Sequence, residues 1–314
     1  MLVNLVPEFL ALLDAPDPVS AYRTYYTTHH AVLSSYWHNY LLDPESPPAV
    51  AVVERAMLAG RGDLRALLAS VDVVARAEDA LARAHDVLQV DRPVDCYLMI
   101  GMGGANAGEL VIGGRGTIFI CLEHFTGQAN PETFGMGLSP DLIPLWVGHE
   151  VAHTVRYTSP GSASEIRRMV HDQGGAYDAW DVGSRVPLRE LLLNEGLAVH
   201  AAEAVAPGLA RADYFGYPRR QYHRMRELES FLRRTAEPEL DQSGLGLRLR
   251  YLSGGVSRSA RTVGGKVLPE RCGYYLGHRM AEPLVRERGL AQALRAEPRE
   301  FQEAEAYARG FRTA

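Results

Sequence analysis

The chain has almost no lysine: only Lys266 among its 33 basic residues, against 38 acidic residues and a net charge of −5. A nucleic-acid-binding domain typically carries a basic patch and a positive charge balance. The frequent arginine therefore indicates a genome-wide compositional bias rather than a basic surface patch. The sequence predicts no nucleic-acid partner.

Long apolar runs are also missing. No stretch approaches the roughly 18 apolar residues that a membrane span requires, so we expect no membrane partner. The opening residues, MLVNLVPEFLALLDAPDP, are partly apolar, but no basic residue precedes them, and Pro7, Glu8 and Asp14 interrupt them. This pattern differs from that of a targeting segment and predicts a helix of the mature fold.

Cysteine is scarce, since the chain has only Cys96, Cys121 and Cys272, an odd number without paired spacing. Two of them, Cys96 and Cys121, fall in apparent strands, where a free cysteine is usually a small core residue. The pattern favours a reducing, cytoplasmic compartment.

The remaining composition, 23% charged and 46% hydrophobic, is that of an ordinary globular protein, and the length suits one large domain or two small ones. Residues 1–90 show apolar residues at helical spacing, with breaks near 16–18, 43–48 and 60–63. We expect a helical N-terminal segment over 1–90 and a second region over 91–314.

One stretch of the N-terminal segment, AYRTYYTTHHAVLSSYWHNY, is rich in aromatic residues and histidine. These side chains either line a pocket or pack as an amphipathic stripe against the rest of the protein, and packing is the more common behaviour of such stripes. The residues concerned are Tyr22, Tyr25, Tyr26, His29, His30, Tyr36, Trp37 and Tyr40.

The periodicity changes at Pro93. The segments VDCYLMIGM and ELVIGGRGTIFICLEHF predict two strands joined by a Gly-rich connection, expected to form an antiparallel pair. The connection, GMGGANAG, lacks the last glycine of a dinucleotide-binding loop and leads into a strand instead of a helix. A dinucleotide site is therefore excluded.

The later part of the chain predicts helices separated by loops. In order, they are a helix around 139–157, a loop-rich segment at 158–186, a helix beginning at Pro187, a polar helix at about 218–236, a Gly/Ser/Arg-rich loop at about 242–268, and a final helical part that begins CGYYLGHRMAEPLVRERG.

The first of these helices carries the segment LWVGHEVAHTVRY, with His149, Glu150 and His153. Positions i and i+4 lie one turn apart on a helix, so both histidines can face one metal ion. Glu150 is rotated by about 100° and would lie beside the metal-bound water. Ser139 can cap the helix, and Pro140 suits its first position.

The rest of that segment is apolar nearly all round, which predicts a buried helix. An ordinary amphipathic helix that happens to carry two histidines is the alternative. Burying unpaired polar groups costs about 1–3 kcal/mol each, so three ionisable residues in such a helix require a reason. The presence of a third ligand decides between a zinc site and an ordinary helix, because a catalytic zinc site takes three protein ligands and water.

Several residues downstream are candidates for that ligand. Arg156 and Ser159 replace the glycine and histidine of the metzincin pattern, which is therefore excluded. Asp178 and Asp181 remain possible ligands, as in aspartate-type zincins. His200 lies about 140° round its helix from Glu195, so the two cannot share a face.

Glu195 is the stronger candidate. It stands in the middle of the apolar helix LLLNEGLAVH, beside Gly196 and Ala198. These small residues would allow the backbone to approach a metal centre and the helix that carries it. Alone, Glu195 would more often be a solvent-facing or capped residue, but together with the upstream motif it favours a metal ligand.

HEVAH followed by NEGLA resembles the gluzincins, zinc metallopeptidases with two histidine ligands on a first helix and a glutamate on a second. The closest resemblance is to a bacterial family of predicted zinc-dependent proteases of unknown function, which adds a late G-Y-x-x-G segment, here GYYLG at 273–277. The likeness covers about residues 95–290. Between His153 and Glu195 lie 41 residues (154–194), so an insertion must loop out.

The resemblance implies an α+β fold, mostly α and zincin-like, with a small antiparallel or mixed sheet, an active-site helix and a helical C-terminal part. It implies one Zn²⁺ per chain on His149, His153 and Glu195. The metal would lower the pKa of its water from about 15.7 to near 7 and polarise the scissile carbonyl. Glu150 would then move the water proton to the leaving amine.

The carbonyl oxygen also requires a hydrogen-bond donor. The resemblance implies Tyr274, with Tyr275, His278 and Arg279 as rivals, while a purely packed tyrosine is the structural alternative. The strand around 110–120 is expected to bind an extended peptide by backbone pairing at its edge.

Two other functions stay open. The first is a zinc hydrolase of a small amide or biosynthetic intermediate, which an N-terminal aromatic helix closing the cleft would favour. The second is a non-enzymatic, partner-binding protein with a structural zinc. Glu150 argues against the second function, because a structural site gains nothing from a base beside an open coordination position. A peptide or a small amide is the expected substrate.

Overall fold

The computed structural model describes residues 1–41, 43–131 and 135–310, so 42, 132–134 and 311–314 of the two predicted regions lie outside the description. Most of the chain is helical, with small sheets. This confirms the expected α+β class with mostly α content. The strands are β1 (Leu2–Asn4), β2 (Val94–Met99), β3 (Ala107–Ile112), β4 (Arg115–Cys121), β5 (Ala129–Asn130), β6 (Gly135–Met136), β7 (Thr262–Val263) and β8 (Lys266–Val267).

Sixteen helices are present in the described ranges. They are α1 (Val6–Leu13), α2 (Pro18–Thr28), α3 (His30–Tyr40), α4 (Pro47–Leu58), α5 (Gly62–Ser70), α6 (Val73–Leu88), α7 (Ile143–Thr158), α8 (Glu165–Asp172), α9 (Ala179–Arg185), α10 (Leu188–Val205), α11 (Arg211–Tyr214), α12 (Arg219–Ala236), α13 (Leu245–Leu252), α14 (Cys272–Arg288), α15 (Leu290–Ala293) and α16 (Pro298–Gly310). None of the helices within these ranges is long and apolar enough to cross a membrane.

The main sheet has four strands in the order β1-β2-β4-β3 and is mixed. Strand β2 pairs in parallel with both β1 and β4, whereas β3 and β4 are antiparallel. The segment VDCYLMIGM was expected to pair antiparallel with the segment ELVIGGRGTIFICLEHF. This prediction is wrong, because β2 from the first segment pairs in parallel with β4 from the second. The second run is itself a hairpin, because Gly113 and Gly114 both adopt positive φ, +58° and +76°, as a two-residue turn requires.

The opening residues also differ from the expected helix. Leu2–Asn4 add a short parallel strand at the edge of β2, and the helix begins only at Val6. Leu2–Asn4 are too few residues to form a helical turn of their own. The edge of β2 provides backbone hydrogen bonds for them instead.

The helix that bears the two histidines, α7, packs against β3 and β4 on one side and against α6 and α10 on others. Its residues are buried except at Pro144 and Thr158, as its apolar sequence predicts. Gly116 of β4 leaves room for Thr154, since a Cβ there would lie 2.8 Å from the Thr154 Cβ. Because α7 is packed between the sheet and neighbouring helices, its position relative to the sheet is fixed.

The insertion between α7 and α10 is not a plain loop. It forms α8 and α9, which bury Ile166, Val170 and Val182 in a small second core with Tyr157 and Tyr177. The segment at 242–268 likewise contains α13 and the hairpin β7–β8. Glycine- and arginine-rich composition suggested loops here, but short amphipathic turns gain stability from tertiary packing that composition does not reveal.

Most of the N-terminal aromatic residues pack in the core. Tyr22, Tyr25, Tyr36 and Trp37 are at most 5% exposed, and the Trp37 indole donates to the Tyr22 hydroxyl at 3.0 Å. Packing, the commoner behaviour, accounts for them. Tyr40 differs, because it reaches β3 and the large cavity beside α7.

Candidate metal centre and its cavity

Helix α7 begins after a capped turn. The Ser139 hydroxyl accepts from the Asp141 amide at 3.2 Å, and Pro140 opens a short 3-10 turn that leads into α7. One turn apart in α7, His149 and His153 place their rings 5.0 Å from each other with planes inclined by 79°. Both are 2% exposed. Rings inclined in this way can direct two nitrogen lone pairs at one point.

Glu195, from the middle of α10, faces that point. Its Oε2 atom lies 3.4 Å from His149 Nε2 and 3.7 Å from His153 Nε2. Zinc–ligand bonds of about 2.0–2.2 Å in tetrahedral geometry place neighbouring ligand atoms about 3.3–3.6 Å apart. Oε2 is buried and has no hydrogen-bond partner among the described residues. The two Glu195–histidine distances are close to this spacing, and ligand atoms of all three residues lie within 4.8 Å of one another, so the group is compatible with a zinc ion.

The surroundings shift the pKa values of two of these groups, His149 and Glu195. Burial lowers the pKa of His149, and the neighbouring His153 and Arg271 add to this, against the opposing effect of Glu195. Burial raises the pKa of Glu195, but His153, His149 and Arg271 outweigh it and bring the pKa to about 2. A neutral imidazole and an ionised carboxylate are the forms that bind a metal.

One feature of a well-supported metal site is not seen. A metal-bound histidine usually donates its second ring nitrogen to a carboxylate, carbonyl or water. The Nδ1 atoms of His149 and His153 are buried and lack a hydrogen-bond partner in the ranges that the structure describes. Within those ranges, the two rings interact with a carboxylate only through their Nε2 atoms, which face Glu195.

Glu150 follows His149 and is 3% exposed, yet it lines the same cavity. Burial raises its pKa well above the usual range, and the carboxylates of Glu109 and Glu195 raise it further. Carboxylate oxygens of Glu109 and Glu150 and a ring nitrogen of His153 lie within 4.8 Å of one another. Glu150 thus has the proximity and the proton affinity that a general base beside a metal requires.

Glu109 was not foreseen from the sequence, although an acid in the apolar strand ELVI is a usable signal. It is 8% exposed, and its carboxylate accepts from Tyr40 at 2.8 Å and from Tyr157 at 3.0 Å. The amide of Asn194, in the NEGLA motif, donates to the Tyr157 hydroxyl at 2.8 Å. This network joins β3, α3, α7 and α10 around the floor of the site.

These residues enclose a cavity of about 480 Å³, within the range of small-molecule sites. Tyr274 lines it, with its ring nearly parallel to that of His149 at a centroid distance of 6.0 Å. Burial and the charge of Glu195 raise the pKa of Tyr274, so its hydroxyl stays protonated and can donate.

The three rivals of Tyr274 point elsewhere. The Tyr275 hydroxyl donates to Glu229 at 2.6 Å, and Arg279 pairs with Glu229 and Glu282. His278 stacks on His200 at 3.9 Å. None of these three side chains is among the residues that line the cavity.

A glycine pair holds Tyr274 in place. A Cβ on Gly196 would lie 2.0 Å from the Gly277 carbonyl carbon, and one on Gly277 would lie 1.7 Å from the Leu192 oxygen. The glycines of NEGLA and GYYLG therefore meet where α10 crosses α14. Gly196 was expected to allow approach to the metal-bearing helix, but it serves the contact with α14. Tyr274 lies one turn before that crossing.

Arg271 also lies at the site, although no motif or spacing in the sequence indicated it. It lies just before α14 with φ of +56°, and its guanidinium is 4.3 Å from the centre of the Tyr274 ring. It lines the cavity, as does Arg248 of α13, whose guanidinium lies 5.9 Å from the Trp180 ring. Two cations therefore face the site.

The alternative ligands lie away from the two histidines. Asp178 caps α9 and pairs with His38 at 2.9 Å, and Asp181 accepts from Gln173 and Arg185 at 2.7 and 2.9 Å. Neither lines the cavity. His200 donates to the His278 carbonyl at 3.1 Å, on another face of α10.

His200, Glu203 and His278 form a second compact group, with ligand atoms within 4.8 Å of one another. The two imidazoles stack with planes only 16° apart. A metal ion lies in the plane of each ring that binds it, and two stacked planes share no such point. The geometry is that of a packed polar cluster, and Arg211 neutralises its carboxylate.

Comparison with protein families gives a match over part of the chain. Residues 178–303 match a family described as "Predicted Zn-dependent protease (DUF2268)". The matched segment includes Glu195, Tyr274 and Arg271 but starts after α7, and it covers less than half of the chain. No curated protein and no solved structure shows a significant match. The match supports a relationship to zinc proteases, and the His/Glu group is compatible with zinc.

Proposed function

We propose that the protein is a gluzincin-type, zinc-dependent metallohydrolase that cleaves peptide or amide bonds. The convergence of His149, His153 and Glu195, whose ligand atoms lie within 4.8 Å of one another, with Glu150 beside them in a cavity, carries the proposal. The order of motifs along the chain, the mixed sheet behind α7 and the match to a zinc-protease family support it. We expect one zinc per chain and a cytoplasmic location.

Zinc, when bound, supplies Lewis acidity that activates water and polarises a carbonyl group. Glu150 accepts a proton as the water oxygen bonds to the carbonyl carbon. It returns that proton to the nitrogen as the C–N bond breaks, leaving a carboxylic acid and an amine. Tyr274 donates to the carbonyl oxygen as negative charge develops there.

The position of Glu150 favours an enzyme over a structural zinc protein. Its side chain is a buried acid that lines the cavity, and it forms no ion pair with any residue that the structure describes. Burying such a group without pairing costs stability. A catalytic use of the carboxylate accounts for that cost, whereas a structural site would gain nothing from it.

Elemental analysis of protein prepared without chelator tests the metal. We expect about one zinc per chain, lost in His149→Ala and in His153→Ala. The matched control is His171→Ala, because His171 is an exposed residue outside the cavity. Stoichiometric zinc in both ligand variants would disprove the site.

X-ray absorption on the zinc-loaded protein tests the third ligand. We expect two imidazole nitrogens, a carboxylate and a water oxygen, with the carboxylate contribution lost in Glu195→Ala. A carboxylate that persists in this variant and disappears in Asp178→Ala or Asp181→Ala would refute the gluzincin assignment while leaving the zinc in place.

A further inference from the structure

The edge of the main sheet beside the candidate site is already occupied. Strand β3 is an outer strand, and such an edge can bind an extended peptide only through free backbone groups. The Glu109 amide donates to the Tyr40 hydroxyl at 3.1 Å, which lies 3.0 Å from the Glu109 carbonyl oxygen. The Val111 carbonyl accepts from the Tyr177 amide at 3.1 Å. Helix α3 and the insertion thus cap β3 where a peptide would pair.

Two arginines that line the cavity, Arg248 and Arg271, also contribute positive charge to it. Neither Arg248 nor Arg271 forms an ion pair with a carboxylate in the part of the chain that the structure describes, and their contacts are the rings of Trp180 and Tyr274. With a divalent ion bound, four positive charges would face three cavity carboxylates, those of Glu109, Glu150 and Glu195. Such an arrangement favours an anionic ligand.

Arg271 is near enough to the metal site to set the length of that ligand. Its guanidinium lies 4.3 Å from the Tyr274 ring centre, which lies 6.0 Å from the His149 ring centre. Together these distances place Arg271 no more than about 10 Å from His149, which an extended chain of about three residues spans.

We propose that the substrate is a short peptide or peptide-like amide with a free carboxylate, which Arg271 binds within three residues of the scissile bond. This inference deepens the proposed hydrolase function and rests on it. A guanidinium binds a carboxylate through two parallel N–H donors, which fixes orientation as well as charge. The capped β3 edge excludes long polypeptides that require backbone pairing.

The wild-type enzyme provides the first test and needs no variant. N-acetylated peptides of two, three, four, eight and twelve residues are compared as free acids and as C-terminal amides. We expect kcat/KM to be 10- to 100-fold higher for the short acids than for their amides, as for a hydrogen-bonded ion pair, and to fall beyond four residues. Equal rates for acid and amide, or equal rates at every length, would overturn the proposal.

Arg271→Ala should abolish the preference for the acid, so that acid and amide of the same length are cleaved at equal rates. The control is Arg279→Ala on the same helix, because Arg279 pairs with Glu229 and Glu282 outside the cavity. Loss of acid and amide cleavage together in a folded Arg271→Ala protein would overturn the carboxylate role in favour of a donor to the carbonyl oxygen. If Arg271→Ala does not fold, Arg271→Lys keeps the charge and should lower the ratio without abolishing it.

Equilibrium binding separates this inference from the proposed function. Calorimetry with Glu150→Gln and an N-acetyl dipeptide should show binding of the acid 10- to 100-fold tighter than of the amide, and this difference should require Arg271. If that binding difference is present but wild-type protein cleaves no peptide, the hydrolase proposal fails and the ligand class stands. If wild-type protein cleaves peptides without any binding difference, the ligand class fails and the hydrolase stands.

Discussion

Replacing Glu150 by glutamine separates an enzyme from a protein with a structural zinc. Glutamine is nearly the same size, so a 3% exposed side chain changes without opening a cavity. In the metal-free protein, burial and the carboxylates of Glu109 and Glu195 favour protonated Glu150. Ionising it therefore costs stability as pH rises above the usual carboxyl range, and glutamine avoids that cost. We expect a melting temperature equal to wild type or above it.

The rate should respond in the opposite direction. Glutamine cannot accept a proton from water, and losing a positioned general base lowers the rate by about 10²–10⁴. This equals about 2.7–5.4 kcal/mol in the activation barrier, at 1.36 kcal/mol per factor of ten. The loss should appear in kcat, because the substrate contacts assigned to Arg271 and Tyr274 are untouched.

The assay combines zinc content, thermal melting and hydrolysis of short acyl peptides. Glu227→Gln is the matched control, because Glu227 is a helical glutamate with a side chain 67% exposed and far from the cavity lining. It should leave all three measurements unchanged. Loss of zinc in Glu150→Gln would mean that Glu150 is a ligand, and the roles assigned around it would fall with it. Unchanged hydrolysis in a zinc-loaded variant would equally refute its role as base.

Three other predictions follow from single contacts. Gly196→Ala should lower the free energy of unfolding by about 1–3 kcal/mol or more, because the new Cβ would lie 2.0 Å from the backbone of α14. The control Gly246→Ala, whose Cβ would have nothing within 4 Å, should raise the free energy of unfolding by up to about 1 kcal/mol. Urea unfolding measures both changes. Burial lowers the pKa of His200 to about 3, so at pH 5 His200 binds a proton in the unfolded chain but not in the folded one. The free energy of unfolding should therefore fall by up to about 2 kcal/mol from pH 6.5 to 5. In urea titrations, His200→Gln should reduce this pH dependence. Tyr274→Phe should lower kcat by about 10²–10³, and Tyr275→Phe, which loses only its bond to a carboxylate outside the cavity, should stay within a few-fold of wild type in the same peptide assay.

The sequence alone determined the local features of the site. The spacing of His149 and His153 fixes their common face, because a helix advances 100° per residue wherever it lies. The apolar run predicted the burial of α7, which is observed, whereas Ser139 caps a 3-10 turn at Pro140–Leu142 and α7 itself begins at Ile143. The long apolar run around Glu195 similarly predicted α10 from Pro187 onward. These features depend on neighbours within one or two turns.

Tertiary structure decided which of the long-range candidates meet. Tyr274 and Tyr275 are adjacent in sequence, and only the packing of α14 on α10 determines which of them faces the cavity. Arg271 belongs to no motif. It reaches the cavity from the position just before α14, where its own backbone is left-handed. The capping of β3 by Tyr40 joins segments 69 residues apart. Local preferences set φ and ψ and the faces of each helix, but the close approach of backbones at paired glycines sets which faces touch.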